Sequence, residues 1–236
     1  MLPLKEVIVI IPTLNEVETI ASQIESMLQI YPGIKILVID DGSTDGTIES
    51  LNSLSNLTND LIIIERGERL GLGSAYRDGF KLSYKNGFNY VIQMDGDGSH
   101  LVKDLDQLLK APGEIDLVIG SRYVSGGKIS GWKLIRRFIS RVGNIFAKQM
   151  LRLKVNDATS GFKRLSRKVF SDSKLLDSNT NGYGFQIEII NFCKLHNFPA
   201  LEVPITFVER RFGYSKFNKF IVLEALISVL KWTIKR

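Results

Sequence analysis

Runs of consecutive apolar residues recur along the first hundred residues, and each run gives way to a polar, glycine-rich segment. Apolar residues that follow one another without alternation are typical of strands buried on both faces of a sheet. Such runs predict strands at residues 7–11, 34–39, 61–64 and 90–94.

The segments between these strands predict helices. We expect Asn15 to cap a first helix that ends near residue 30, and Ser43 or Thr44 to cap the second. A third helix follows the glycine-rich turn at residues 71–75 and ends near residue 85. Strands and helices that alternate in this way predict a mostly parallel sheet with helices on both faces.

Polar loops follow the predicted strands at the same relative position. Right-handed crossovers bring the C-terminal ends of parallel strands to one edge of the sheet, where ligands bind in such folds. The loops expected at this edge are residues 12–16, 40–41, 71–75 and 95–97. Their convergence is a stronger indication of a binding site than any one of them.

Asp95 and Asp97 end the fourth strand. In extended chain, side chains two residues apart point the same way, and two close carboxylates repel unless a cation lies between them or one is protonated. Mg²⁺ and Mn²⁺ suit such oxygen ligands and also take substrate phosphates. We therefore expect a metal–diphosphate site with Gln93 or Ser99 as a minor partner. The alternative is a polar turn, in which Asp and Gly are favoured anyway.

The second half of the chain adds a helix near residues 103–110, a strand at 116–120 and a long basic, helical stretch at 132–153. In that stretch Arg136, Ser140, Asn144 and Lys148 recur every four residues and form a polar row beside an apolar stripe. Further elements are predicted as a strand at 159–165, a helix at 184–195, a strand at 200–208 and an amphipathic tail at 216–236.

The net charge of +6 is concentrated in one region. Residues 117–156 contain no Asp or Glu but carry nine Lys and Arg side chains, so this region predicts binding of an anion: phosphate, nucleic acid or an anionic bilayer. The single cysteine, Cys193, excludes an intramolecular disulfide and fits a reducing compartment. We expect no signal peptide, since a basic n-region is missing, and no membrane-spanning helix.

These motifs, in this order, resemble a known group over nearly the whole chain. The chain resembles the GT-A glycosyltransferases of family 2, and within them the dolichol-phosphate mannose synthases without transmembrane segments. The resemblance rests on residues 11–16, 39–47, 71–76, 94–100, 120–123, 126–127, 131–132, Arg136 with Ser140-Arg141, 182–188 and 207–216.

The resemblance implies a Rossmann-like α/β/α sandwich around a mostly parallel mixed sheet. It further implies a GT-A domain over residues 1–215, with a nucleotide-sugar half at 1–100 and an acceptor half at 116–215. A C-terminal amphipathic helix is expected over residues 216–236.

The resemblance also implies roles for individual residues. Asp95 and Asp97 are the expected metal ligands, and Arg122, Arg136 and Ser140 the expected acceptor-phosphate site. The family's catalytic residues correspond to Asp97, Arg122, Arg136 and Ser140. The nucleotide-sugar contacts correspond to Pro12, Leu14, Glu16, Ile39, Asp40, Asp41, Asp95, Gly96, Asp97, Arg122, Arg210 and Lys216. For Asp40 and Asp41, helix capping is the alternative role.

The implied reaction is metal-dependent, inverting transfer of a hexose to dolichyl or polyprenyl phosphate, with mannose from GDP-mannose as the leading expectation. The cofactor is Mg²⁺ or Mn²⁺, and the protein is expected on the cytosolic face of a membrane, with or without a small anchoring subunit. A UDP-glucose-dependent enzyme of the same type and a family 2 enzyme with a soluble sugar acceptor remain alternatives. We do not expect nucleic acid as a partner, because no binding module is recognisable and the Asp95–Asp97 edge would repel its backbone.

Overall fold

The computed structural model describes residues 1–210 and 219–234, without the side chains of residues 219–222. Within these ranges the strands are β1 Val7–Thr13, β2 Lys35–Asp40, β3 Leu61–Glu65, β4 Tyr90–Gln93, β5 Leu117–Ser121, β6 Lys128–Ser130, β7 Lys163–Ser166, β8 Ala200–Pro204 and β9 Thr206–Val208. The helices are α1 Ile20–Ile30, α2 Thr47–Ser55, α3 Leu72–Lys85, α4 Leu105–Lys110, α5 Leu134–Met150, α6 Arg167–Phe170, α7 Ser173–Leu176, α8 Gly184–Leu195 and α9 Lys219–Ile234.

Seven of the described strands form one mixed sheet in the order β3-β2-β1-β4-β7-β5-β8. β7 runs antiparallel to both of its neighbours, whereas the other neighbouring pairs are parallel. Helices cover both faces. Ile8 and Ile10 of β1 belong to one buried cluster with Phe80 of α3, and Val9 and Ile11 belong to another with Ile24 of α1 and Leu108 of α4. The predicted three-layer α/β architecture is confirmed.

The predicted capping residues are wrong. α1 begins at Ile20, four residues later than a cap at Asn15 requires. Asn15 has a left-handed φ of 54° and instead joins two loops: its backbone N–H donates to Ser43 Oγ and its Oδ1 accepts from the Thr44 N–H, both at 2.8 Å. Neither Ser43 nor Thr44 caps α2, which begins at Thr47. Tertiary bonding between the two loops therefore replaces local capping.

β7 carries two charged residues in the interior of the sheet. Lys163 and Arg164 both have no exposed surface. Arg164 donates to four main-chain carbonyl oxygens, those of Leu108, Ala111, Pro112 and Ile115, at 2.6–3.1 Å. Since each of those carbonyls lies before β5, one side chain fixes the whole α4–β5 connection.

The predicted strand at 200–208 is divided in two at Ile205. β8 stays in the main sheet, whereas β9 pairs in parallel with β6, a strand that the sequence pattern did not predict. β9 also forms a bridge from Phe207 to His100, and the Val208 N–H donates to the Ser99 carbonyl. This short sheet therefore joins the loop after β4 to the segment that precedes α5.

The long basic helix is confirmed as α5, but only part of its apolar stripe packs on the protein. Phe146 and Met150 pack against a buried cluster, whereas the rest of the stripe faces outward. Leu134, Ile135 and Phe138 are 64–82% exposed, and Val142 and Ile145 are close to half exposed. The buried side of the helix carries part of the polar row, with Asn144 only 3% exposed. α9 packs against α5 and also exposes apolar side chains, those of Leu223, Ile227, Leu230 and Ile234. Among the described residues, no helix is both long and apolar enough to cross a bilayer.

Candidate functional site

A cleft of about 350 Å³ opens at the carboxyl edge of the sheet. Its lining includes residues from all four predicted loops, so their expected convergence is confirmed. One wall carries Pro12, Leu14, Glu16, Asp41, Gly71, Asp95, Gly96 and Asp97. A second wall carries Arg122, Trp132, Arg136, Ser140 and Phe207, and Arg210 lines the cleft beside Asp97. The cleft continues between α5 and α9, where its lining is largely apolar: Ile139, Phe146, Ala147, Leu226 and Val229.

The two aspartates after β4 have different partners. Asp97 Oδ2 lies 2.8 Å from the Arg210 guanidinium, and its Oδ1 accepts from the Ser99 N–H at 3.0 Å. Asp95 Oδ2 lies 3.1 Å from His100 Nε2. Burial alone would raise the pKa of Asp95, but the hydrogen bond and charge of His100, with help from Lys163, lower it below its usual value. The Asp95 carboxylate is therefore set up as an anion.

The donor set around the aspartates fits a hard divalent cation. Asp95 and Asp97 present carboxylate oxygens, and the guanidinium of Arg210 already occupies a cation position on Asp97. Within residues 1–210 and 219–234, no group of three or more His, Cys, Asp and Glu side chains surrounds a possible metal position. Mg²⁺ is commonly held by only one or two carboxylates together with substrate phosphates. Gln93 is fully buried below the loop, and Ser99 contacts Asp97 through its backbone.

Asp40 and Ile39, expected near the nucleotide, lie below the cleft. Asp40 is 1% exposed and accepts hydrogen bonds from the Thr13 hydroxyl, the Ser43 hydroxyl and the backbone N–H groups of Gly42 and Ser43. Ile39 belongs to the buried cluster between β1 and α3. Both residues shape the loop from underneath.

Asp41 does line the cleft, but its carboxylate is paired. It forms an ion pair with Arg66 and accepts from the Gly71 N–H at 2.9 Å. Arg66 in turn donates to Ser74 Oγ and Asp78 Oδ2 on α3. This network fixes the end of β2 to the start of α3, and so holds two of the four loops in register.

Glu16 reaches the loop that carries Asp95 and Asp97, which we call the metal loop, from the first wall. Its backbone N–H donates to Thr47 Oγ1 at 2.9 Å. A Cβ atom added at Gly96 would lie 2.5 Å from Glu16 Oε2 and 3.2 Å from a methyl group of Ile11. The absence of a side chain at Gly96 therefore lets the Glu16 carboxylate approach the Asp95–Asp97 loop.

Arg122 is held by a buried ion pair that the sequence pattern did not indicate. Its Nε and Nη2 donate to the two carboxylate oxygens of Asp157 at 2.7 and 2.6 Å, and its backbone N–H donates to Asp157 as well. The guanidinium also lies 5.3–5.5 Å from the ring centres of Tyr123, Trp132 and Phe207. Although burial opposes ionisation of both groups, their mutual attraction lowers the pKa of Asp157 and raises that of Arg122.

Arg136 and Ser140 lie together on the inner side of α5. The Arg136 guanidinium stacks 4.3 Å from the Trp132 ring and forms an ion pair with Glu209 Oε1 at 3.1 Å. Ser140 Oγ accepts from the Tyr123 hydroxyl at 2.8 Å. Arg122 and Arg136 are therefore compensated in space, although their region is acid-free in sequence: Asp157 follows it directly and Glu209 comes from beyond β9. Lys216, predicted to act beside Arg210, lies outside the described residues.

The sequence of this chain is similar to those of known proteins. The family model for Glycosyl transferase family 2 matches residues 8–173. The chain belongs to glycosyl transferase family 2. It is 36% identical over 235 residues to a polyprenol monophosphomannose synthase of Mycolicibacterium smegmatis, which covers 99% of this chain and 89% of that protein. It is also 36% identical over 226 residues to an undecaprenyl-phosphate mannosyltransferase of Micrococcus luteus, with coverage of 96% and 93%.

The family 2 chain also resembles solved structures. One is glucosyl-3-phosphoglycerate synthase of Mycobacterium tuberculosis, in complex with Mn²⁺, UDP-glucose and phosphoglyceric acid. The TM-score is 0.72 at 19% identity, over 97% of this chain and 80% of that one. At this identity the likeness shows the fold, and the predicted GT-A fold is confirmed.

Two polar residues of this family 2 site, His100 and Lys163, were not predicted from the sequence. His100 contacts Asp95 and packs between Phe162 and Phe207. Lys163 lies below the metal loop, where it donates to Gln186 Oε1 at 2.5 Å. Burial lowers the pKa of Lys163 to about 7, against the opposing effect of Asp157 and Asp95. A polar residue directly after a conspicuous motif, as in the case of His100, was the one available signal.

The Asp157→Asn substitution is expected to destabilise the glycosyltransferase by about 3 kcal/mol at pH 7, because it leaves the Arg122 charge buried without its partner. The folded-state pKa of Asp157 is lowered, so its contribution is present above the unfolded pKa of about 4 and is lost as pH falls through the folded value. The difference between wild type and variant should therefore shrink as the pH is lowered below about 4.

Urea unfolding at a series of pH values measures this effect. Asp177→Asn is the matched control, since Asp177 is exposed at the end of α7. A difference between wild type and the Asp157→Asn variant that stays constant with pH would contradict the assignment.

Proposed function

We propose that this glycosyltransferase moves mannose from GDP-mannose to dolichyl or another polyprenyl monophosphate, with inversion at the anomeric carbon. The observation that carries the proposal is the sorting of charge within one cleft. Carboxylates suited to a metal diphosphate line one wall, arginines suited to a phosphate line the other, and an apolar channel leads away from them. The relatives named as polyprenyl-phosphate mannose transferases support the choice of sugar and acceptor.

On the donor wall, Asp95 and Asp97 would hold Mg²⁺ or Mn²⁺. The cation, when bound, would neutralise charge that develops on the leaving diphosphate. Among the described residues Arg210 is well placed to add to that effect, because it lies on Asp97 and a planar guanidinium binds phosphate in bidentate fashion. Pro12, Leu14, Glu16 and Asp41 line the part of the cleft that we assign to the nucleoside.

On the acceptor wall, Arg136 and Ser140 would receive the lipid phosphate. A phosphate monoester is largely dianionic at neutral pH, since its second pKa is about 6, and it is a nucleophile without a general base. The protein must then position the phosphate in line with the donor and keep two anionic groups from repelling each other. Arg122 stabilises this wall, because its guanidinium already donates to both carboxylate oxygens of Asp157.

The apolar end of the cleft suits a prenyl chain. Ile139, Phe146 and Ala147 of α5 face Leu226 and Val229 of α9 across it, and it is continuous with the charged end. A soluble sugar acceptor would leave this lining exposed to water, at a cost of roughly 25 cal/mol for each Å² of apolar surface. The channel thus favours a lipid acceptor over a soluble one.

The outward apolar face of α5 supports a position on the membrane surface. Leu134, Ile135 and Phe138 would enter the boundary between headgroups and acyl chains, while Lys133 and Arg137, both exposed, would lie among anionic headgroups. We propose that the enzyme works on the cytosolic face, where its acceptor phosphate is presented. A small membrane subunit that covers the same face is the alternative occupant.

The proposal is tested by incubating the enzyme with labelled GDP-mannose, UDP-glucose or UDP-N-acetylglucosamine, each with dolichyl or undecaprenyl phosphate and Mg²⁺ or Mn²⁺. We expect labelled lipid from GDP-mannose. Labelled lipid from UDP-glucose alone would replace the proposed sugar. Transfer to a soluble sugar without any labelled lipid would overturn the lipid acceptor.

The Asp97→Asn substitution should weaken Mn²⁺ binding in the presence of GDP by at least about tenfold, because it removes a charged oxygen ligand. Titration calorimetry measures this binding without turnover. Asp177→Asn serves again as the control. Unchanged Mn²⁺ affinity in the Asp97→Asn variant would refute the metal assignment.

Replacing both Ile135 and Phe138 with serine should weaken binding to vesicles that contain anionic lipid by at least roughly a hundredfold, since each buried side chain of this size contributes about 1.5–3 kcal/mol. Vesicle co-sedimentation measures the change. The control replaces two other exposed apolar residues, Leu57 and Leu195, with serine. Vesicle binding that is equal in both variants would show that α5 does not contact the bilayer.

A further inference from the structure

Glu209 and Arg210 are adjacent residues of opposite charge that pair with different walls of the cleft. Glu209 forms its ion pair with Arg136 on the acceptor wall, and Arg210 forms its ion pair with Asp97 on the donor wall. They directly follow β9, and successive side chains of an extended segment point in opposite directions. One dipeptide therefore supplies the counter-ion for each half of the site.

The backbone beneath this dipeptide is fixed. The Glu209 N–H donates to the Ser130 carbonyl at 2.9 Å, and the Val208 N–H donates to the Ser99 carbonyl at 3.0 Å. Gly131, with a left-handed φ of 84°, makes room for Glu209, since a Cβ atom there would lie 2.8 Å from the Glu209 Cβ. The side chains can change partners while the main chain stays in place.

The proposed reaction moves one negative charge from the acceptor wall to the donor wall. A phosphate monoester oxygen forms the new bond to the anomeric carbon, and the bond from that carbon to the diphosphate breaks with its electron pair. The acceptor phosphate changes from a dianion to a phosphodiester monoanion, while the nucleoside diphosphate gains a charge. No proton, oxidant or further reactant is required.

We infer that Glu209 is a positioning residue that competes with the lipid phosphate for Arg136 and displaces the phosphodiester product; this inference rests on the proposed function. A dianionic acceptor carries more charge than the Glu209 carboxylate and displaces it from Arg136. The monoanionic product carries the same charge as Glu209, which is tethered beside Arg136 and has the advantage of a high effective concentration. Because the acceptor phosphate loses one negative charge in the reaction, Arg136 pairs with Glu209 again.

The Glu209→Gln variant tests this role because it keeps the shape of the side chain and removes the charge. Calorimetry at pH 7.5 and low salt, without donor, compares a short-chain isoprenyl monophosphate with its methyl phosphodiester as a surrogate for the product. We expect Glu209→Gln to tighten diester binding by about fivefold, the effect of one partly exposed ion pair. Glu114→Gln, at an exposed position before β5, is the matched control and should leave both affinities unchanged.

Turnover supplies a second readout. If the proposed lipid product is formed, Glu209→Gln should lower both the acceptor KM and kcat, and should make the enzyme more sensitive to inhibition by added product. A purely structural role would weaken binding and raise KM instead.

The two possible failures are distinguishable. Diester affinity that is unchanged or weaker in Glu209→Gln, with the monoester still bound, overturns the role of Glu209 alone. Absence of monoester binding in wild type and both variants overturns the acceptor assignment and this inference with it.

Discussion

The buried ion pair between Arg122 and Asp157 is the interaction on which the two halves of the site depend. It ties the end of β5 to the loop before β7, and that loop places Gly161 directly against the Asp95 carboxylate, where a Cβ atom would lie 2.8 Å from both oxygens. The same guanidinium contacts the rings of Trp132 and Phe207, which lead to α5 and β9. A buried charge without its partner is strongly unfavourable, so this pair fixes a position from which both walls are built.

The charge distribution of the site follows from this arrangement. Arg122 is neutralised by Asp157 and is thereby part of the scaffold. Arg136 and Arg210 form ion pairs at the cleft in which the four side chains stay 11–39% exposed. Ion pairs that stay partly hydrated are weak and exchange readily. The three arginines of the site therefore differ: the ion pair of Arg122 is permanent, and those of Arg136 and Arg210 are exchangeable.

The fold and the position of the cleft follow from local sequence patterns, and the pairing within the cleft does not. Apolar runs with glycine-rich ends identify the strands of the first half because each signal lies within a few residues. The partners of Arg122 and Arg136 lie 35 and 73 residues away, so a count of acidic residues within the basic region does not reveal them. The helical period of α5 identified the helix and its two faces, but periodicity alone does not say which residues meet the protein, and here the polar row does so together with part of the apolar stripe. The start of α1 was also predicted wrongly, because the side chain of Asn15 accepts a hydrogen bond from a distant loop instead of capping the helix.

The exposed apolar residues of α5 also change how substitutions along this helix should be judged. Leu134, Ile135, Phe138, Val142 and Ile145 are among the more exposed large apolar residues of the described chain, so any ranking of positions by burial would treat them as free to vary. If these side chains insert into a bilayer, they are under the same selection for apolar character as residues of a hydrophobic core. Variants chosen for better behaviour in water would then lose apolar residues at these positions first, and would gain yield at the expense of access to the lipid.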